Sequence, residues 1–455
     1  MKKINSGKGD LILAAGNGLL DRRLFMKKGL VFSTYAAAAT VVPEILAGED
    51  SDSGIDSEID TGRPPWMQTP GAPFSTYGMP SRFEADVVRF PSANSAVNGN
   101  GVSWTPLHLM EGMITPNGLH FERHHNGVPQ IDPAYHKLLI HGMVRNPSFF
   151  RVDNLLRYPM QSRICFIECG GNSNAGWYKQ PSRAEAGYFH GLVSCSEWTG
   201  VPLGTVLEEA GIDKNAKWLI AEGADAFAMN ISVPLKEARK EGLLALYQNG
   251  ERIRPENGYP LRLILPGLEG VLNVKWLRRL KATEQPVMAR NETSKYTELL
   301  PSGKARMFTI HIDVKSLITA PSANMRLKSP GLYQITGLAW SGHGRIKKVE
   351  VTADGGKTWA VAELQKPVMS KAFTRFRIPW QWDGKPAVLK SRAFDEQGHI
   401  QPERKELVAQ RGRHGFFHYN AIVTWQVDED GVVNHIYDKD EVRQEGPVSI
   451  DTGWD

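Results

Sequence analysis

Residues 162–172 read Ser-Arg-Ile-Cys-Phe-Ile-Glu-Cys-Gly-Gly-Asn. The run from Ile164 to Ile167 is short, apolar and rich in β-branched and aromatic side chains, which marks a buried strand, and the glycine pair behind it forces a turn. Cys169 is therefore expected at a strand end, its thiol offered to whatever lies beyond the turn. A cysteine among apolar neighbours is usually a small core residue, and that reading holds for Cys165. Three cysteines cannot all pair. With no C-x-x-C and no C-x-x-C-H, neither a closed zinc site nor a covalently attached haem is built into the chain.

Outward from this strand, residues 83–305 mix short strands with short helices. Residues 135–144 and 262–265 are strand-like, and residues 203–210 read as a helix stopped by Gly211. This predicts an irregular α+β domain whose folded part starts near Phe83. Past residue 315 the pattern changes: residues 331–340 and 346–352 alternate, Asp354-Gly-Gly supplies a hairpin turn, and further strands follow at 373–378 and 388–395. Strands at that spacing predict an all-β, immunoglobulin-like sandwich over 315–430, with a tail over 431–455. The joint is placed between 300 and 320. Neither a phosphate-binding loop nor a Rossmann glycine motif is present.

The 455 residues are 41% hydrophobic and 23% charged, the proportions of an ordinary folded protein of two or three domains. The net charge of +5 is concentrated in residues 1–47, so the remainder holds 47 positive against 46 negative side chains. Nucleic-acid binding, which needs a concentrated basic surface, loses its support. Arg22-Arg23 precede an apolar stretch over 29–42, about 21 Å long as a helix and too short to span a bilayer comfortably. Residues 1–47 are expected to be a twin-arginine signal peptide with a small-residue cut site at Leu46-Ala-Gly48, although Asp21 stands where Ser or Thr is usual. Such signals export folded proteins, which places the mature protein in the periplasm and hints at a cofactor loaded before export. Residues 48–82, acidic and then proline-rich, are expected to be a flexible leader.

Several short segments occur together in one order. They are Ile114-Thr-Pro-Asn117, Phe121-Glu-Arg-His-His125, Glu168-Cys-Gly-Gly-Asn172, Gly258-Tyr-Pro-Leu-Arg262 with Leu265-Pro-Gly267, Asn273-Val-Lys-Trp276, Ala339-Trp-Ser-Gly-His-Gly344 and Asp354-Gly-Gly-Lys-Thr-Trp359. Order and spacing resemble the sulfite oxidase family of molybdopterin enzymes, most closely its bacterial sulfane-oxidising branch. The resemblance implies an α+β molybdopterin-binding domain followed by a dimerisation sandwich, with the molybdenum-molybdopterin cofactor and no haem in this chain. It makes Cys169 the protein ligand to the metal, as a soft thiolate. The pterin phosphate then falls to Arg123, His124, His125, Asp225, Asn257, Arg262, Asn273, Val274 and Lys275. Asn257 stands where eukaryotic relatives have histidine. Tyr296 and Arg123 are implied at the reacting face, the phenol steering protons and the guanidinium holding an anionic substrate.

Two departures bear on substrate. Animal sulfite oxidases carry two arginines after the cysteine motif where this chain has Ser173 and Asn174, and Tyr188 replaces a pocket tryptophan. A more neutral, more open pocket is expected, suited to sulfane sulfur on a carrier-protein cysteine. No haem domain is expected ahead of the molybdenum domain, so electrons would pass to a cytochrome c subunit. The 411–420 segment and Trp425 form a basic-aromatic stretch suited to docking or to lining the substrate path. A homodimer or a higher assembly is implied. The alternatives are a direct sulfite dehydrogenase with cytochrome c as acceptor and, from another class, a non-catalytic periplasmic binding protein.

Overall fold

The computed structural model describes residues 3–4, 11–21, 64–294, 296–307, 309–412 and 415–438. The arginine pair, the apolar stretch after it, the cut site, the leader up to residue 63 and the tail from 439 lie outside the described residues.

Two mixed sheets build the first domain. One runs in the order Asn230–Pro234, Trp218–Gly223, Leu277–Thr283, Lys137–Gly142, Ser148–Arg151, with Leu277–Thr283 and Lys137–Gly142 parallel. The other runs Glu251–Arg252, Leu243–Gln248, Val193–Pro202, Gln161–Glu168, and Arg262–Ile264 also pairs with Leu243–Gln248. The strand expected over Ser162 to Glu168 spans Gln161–Glu168 and pairs along its whole length with Val193–Pro202. Its apolar residues are buried on both faces, which is why no alternation shows in the sequence. The helix Leu203–Glu209 packs Leu203, Val206 and Leu207 inward, and Gly211 behind it has φ +68°, a conformation glycine adopts without strain.

The second domain is a two-sheet sandwich, with one sheet of Lys315–Ala320, Gly331–Trp340, Thr374–Trp382, Glu363–Leu364 and another of Ala360–Val361, Ile346–Thr352, Ala387–Asp395, Thr424–Val427, Val433–Ile436. Trp340, Trp380 and Trp425 are fully buried between the sheets. Truncating one such indole to alanine costs about 3–5 kcal/mol.

Four details differ from expectation. The first paired strand of the first domain is Phe90–Ala93, seven residues past Phe83, because residues 64–89 expose Trp66, Phe74, Tyr77 and Phe83 instead of packing them. The turn at Asp354 is wider than a tight hairpin, since Val351 pairs with Ala360 and the side chain of Asp354 accepts the Thr358 amide. The sandwich runs past 430, because Val433–Ile436 completes its five-stranded sheet. Residues 13–20 of the expected signal peptide lie against the sandwich, with Leu19 and Leu20 buried.

The domains interlock. The segment 415–437 crosses back over the first domain: Trp177 and Tyr419 meet edge to face at 5.4 Å. Gly176 lies under the Tyr419 ring and Gly415 under the Trp177 indole, where an added Cβ would come within 2.3 Å and 2.7 Å of ring atoms.

Candidate active site

Cys169 closes the strand Gln161–Glu168, and its amide donates to the Leu192 carbonyl at 2.9 Å. Gly170 follows because Glu269 Oε1 would lie 2.0 Å from any Cβ placed there. Asn172 locks the turn: its side-chain amide donates to Glu168 Oε1 at 2.8 Å and its oxygen accepts the Leu192 amide at 3.0 Å. Cys169 lines a cleft together with Arg123, His124, His125, Asp225, Asn257, Arg262, Asn273, Val274, Lys275 and Tyr296. Every cofactor or catalytic residue expected from sequence is therefore brought to one cleft, although residues 123 and 296 are far apart in the chain.

The cleft is cationic. Lys275 Nζ lies 2.9 Å from His124 Nδ1, 3.1 Å from the Arg123 carbonyl and 3.2 Å from the Glu256 carbonyl. With Nδ1 accepting from the lysine, His124 carries its proton on Nε2 and donates it to Glu122 at 2.7 Å. Burial pulls His124 down to about 4, and Lys275 pushes the same way. Arg262 donates to the carbonyls of Asn273 at 3.2 Å and Asn257 at 2.9 Å and stacks its guanidinium 5.1 Å over Trp198; burial takes it down to about 9. Burial, with Arg262 next in weight, pulls Lys275 well below its ordinary value. Arg123 adds a third cation, donating to the His124 carbonyl.

These groups fit a pterin phosphate. Among the described residues, Arg262 and Lys275 direct their hydrogen bonds to carbonyls and one imidazole, which leaves their charge for an anion reaching the cleft. Gly258 has φ +116°, and a Cβ added there would stand 3.2 Å from the Lys275 backbone. Cys169 fits the metal: burial pushes its thiol up to about 11 while Arg123 pulls it down, and a bound cation would displace the proton. Cys165 and Cys195 are core residues whose thiols burial also pushes up. Not every residue points its polar atoms at the cleft. Asn273 commits its side chain to the Leu265 amide and the carbonyls of Leu268 and Glu269, and so shapes the wall.

Two expectations are corrected. Tyr188 is absent from the cavity wall; it stands half exposed on the short helix Ala186–His190, against Phe90 at 4.4 Å and Trp104 at 4.9 Å. Ser173 does not open the pocket either: it is buried, bonded to His190 Nδ1 at 2.6 Å and to Lys315 Nζ at 2.7 Å. The 411–420 segment does reach the site. Phe417 stacks on Tyr296 at 4.6 Å with the rings 25° apart, and His418 Nε2 lies 3.7 Å from Glu269 Oε2. Arg411 instead pairs with Glu298 and Asp313.

Glu269 was missed by sequence reading. It is fully buried beside Gly170, and among the described residues neither carboxylate oxygen has a hydrogen-bond partner. Burial pushes it well above the ordinary carboxylate range, with Glu298 adding to the shift. The only signal was an acidic residue between two glycines in a run otherwise apolar.

Residues 125–291 match the oxidoreductase molybdopterin binding domain and residues 306–425 the Mo-co oxidoreductase dimerisation domain. The chain is 30% identical over 322 residues to mitochondrial sulfite oxidase of Rattus norvegicus, covering 66% of this chain and 56% of that one. It is 30% identical over 341 residues to nitrate reductase [NADH] 2 of Phaseolus vulgaris, covering 66% and 38%. The chain thus spans little more than half the length of the sulfite oxidase. Among solved structures, the sulfane dehydrogenase SoxCD from Paracoccus pantotrophus superposes with a TM-score of 0.81 at 40% identity, over 85% of this chain and 100% of that one.

Proposed function

The chain belongs to the sulfite oxidase family of molybdopterin oxidoreductases, and from this premise we propose that it oxidises sulfane sulfur carried on a protein cysteine and passes the electrons to a cytochrome c. The observation that carries the reading is the meeting of Cys169, Tyr296 and Arg123 in one cleft floored by Arg262 and Lys275. When bound, molybdenum-molybdopterin supplies two-electron oxidation of sulfur with oxygen drawn from water.

The residues divide the rest of the work. Cys169 offers the thiolate, and the glycines around it let Glu269 and the 270 turn close in behind. Arg262, Lys275 and His124 would hold the pterin phosphate by charge and hydrogen bonds. Arg123 orients an anionic sulfur compound by charge. Tyr296, held against Phe417 and raised well above the usual phenol range by burial, stays protonated and donates a hydrogen bond to the substrate.

Support for the wider setting is of several kinds. The match to a dimerisation domain over 306–425 supports a homodimer. The arginine pair at 22–23 supports export to the periplasm, and no helix among the described residues is long and apolar enough to cross a membrane. Likeness to the sulfane dehydrogenase SoxCD at 40% identity supports sulfane sulfur as the substrate and a partner subunit.

One observation favours a second reading, direct sulfite dehydrogenation. Because Ser173 is turned away from the cleft and Arg123 lines it, loss of the neighbouring arginines does not strip the pocket of positive charge. A substrate panel with cytochrome c reduction as readout separates the two. Faster turnover of carrier-linked persulfide than of sulfite supports the proposal, the reverse order replaces it, and purified protein without molybdenum removes both.

A further inference from the structure

Residues 14–20, ahead of the arginine pair, read Ala-Ala-Gly-Asn-Gly-Leu-Leu and are seated on the sandwich. Leu19 bridges Trp380 in antiparallel fashion. The Leu20 amide donates to the Pro379 carbonyl at 3.0 Å, and the Gln381 amide donates to the Gly18 carbonyl at 2.8 Å. At this point Thr374–Trp382 has outrun its short neighbour Glu363–Leu364, which pairs only with Phe376 and Arg377. An edge left open there would bare main-chain groups, and the N-terminal segment fills it as an added strand.

Each residue has a defined fit. The Gly16 amide donates to Thr358 Oγ1 at 2.7 Å, and a Cβ at Gly16 would stand 2.4 Å from Asp354 Oδ2. Asn17 donates its side-chain amide to the Ala353 carbonyl at 2.7 Å, while its own carbonyl accepts the Trp380 indole N–H at 2.7 Å. Gly18 has φ +86°, and a Cβ there would meet the Gln381 carbonyl oxygen at 1.9 Å. Leu19 and Leu20 are 0% and 1% exposed, and Leu19 belongs to the main apolar core of the sandwich. Gly18 therefore admits no side chain against the Gln381 backbone, Gly16 is crowded by the Asp354 carboxylate, Asn17 is read through its amide, and Leu19 and Leu20 through burial.

We propose that the sandwich edge between 353–358 and 379–381 is a peptide-binding slot for a Gly-Asn-Gly-Leu-Leu segment, and that the N-terminal segment of this chain is its ligand. The groups that bond Gly16 and Asn17 lie 336 to 363 residues downstream of them. The slot is complete only when Thr374–Trp382 has paired with Gly331–Trp340 and the 353–358 turn has closed. Occupancy therefore couples the N-terminal segment to completion of the second domain, and the seated residues end one residue before Arg22-Arg23.

Hydrogen exchange on the full-length protein tests this without reference to catalysis or export. The amides of Leu20 and Gln381 are expected to exchange about a hundredfold more slowly than in an unstructured chain. Gly18→Val lowers the protection of both amides by tenfold or more and Asn17→Ala by less, with the strands 137–142 and 161–168 unchanged. A synthetic peptide of residues 13–21 added to the Gly18→Val protein restores protection at Gln381, and the same peptide carrying Gly18→Val does not. Unstructured-chain exchange at Leu20 in the unaltered protein overturns the docking. Failure of the peptide to restore protection at millimolar concentration overturns the slot as a binding site.

Discussion

The ammonium of Lys315 lies 3.0 Å from Oε1 of Glu168, with both side chains buried. Lys315 opens the first strand of the sandwich, and Glu168 immediately precedes Cys169. The same carboxylate accepts the Trp340 indole N–H at 2.6 Å, and Lys315 also donates to Ser173 at 2.7 Å. The loop that carries the thiol is thus fixed from the second domain through a buried network whose members satisfy one another.

Lys315→Met should leave Glu168 buried without its cation, a loss of about 3–5 kcal/mol of stability. Denaturant unfolding measures it, and molybdenum content should fall with it as the Cys169 loop loosens. A stability change below about 1 kcal/mol would show that the pair contributes little.

Cys169→Ser should keep the fold, because the side chain shrinks only slightly at a strand end. Circular dichroism and unfolding midpoint are expected near those of the unaltered protein, while molybdenum by elemental analysis and turnover both drop to background. Retained metal at full occupancy would remove Cys169 from the centre.

Arg262→Met and Lys275→Met should each reduce bound pterin at least tenfold, since a charge-assisted contact to phosphate contributes about 1.5–3 kcal/mol. Because burial already opposes the charge of both residues, the apo variants should be no less stable than the apo protein. Pterin fluorescence after release, set beside apo unfolding midpoints, checks both halves of the statement.

His435 gives a pH signature. Burial among Phe189, Trp425 and Tyr437 pulls it down to about 4, and its Nδ1 lies 3.1 Å from the Ser182 carbonyl. Between the ordinary histidine value near 6.5 and about 4, the unfolded chain takes a proton that the folded one refuses. Stability is therefore lost as pH falls through that window, at no more than about 1.4 kcal/mol per unit from this residue. His435→Gln should flatten the slope of unfolding free energy from pH 6.5 to 4.5. Glu269, raised and of opposite sign, is common to both proteins and drops out of the comparison.

Strand positions were legible where burial is one-sided or where glycine punctuates. Gly331–Trp340 and Ile346–Thr352 fall on the residues their alternation marks, and the 203–209 helix stops at the glycine that ends its pattern. The cofactor wall was legible only through the resemblance, because Arg123, Asp225 and Tyr296 are ordinary surface types until the fold gathers them. Tyr188 and Ser173 were misplaced because a side chain's direction out of a turn or a short helix depends on partners distant in sequence, Phe90 and Trp104 for one, Lys315 and His190 for the other. Glu269 and Phe417 reach the site from opposite domains, a meeting that no local pattern encodes.

The paired indentations at Gly176 and Gly415, each filled by an aromatic ring from across the joint, bear on how such proteins are recombined. A hybrid made by grafting the sandwich of one homologue onto the catalytic half of another would have to inherit donor and recipient glycines together with their rings. Inheriting one without the other would set a methyl group against an indole or a phenol, and the halves would be held apart beside the cleft they share.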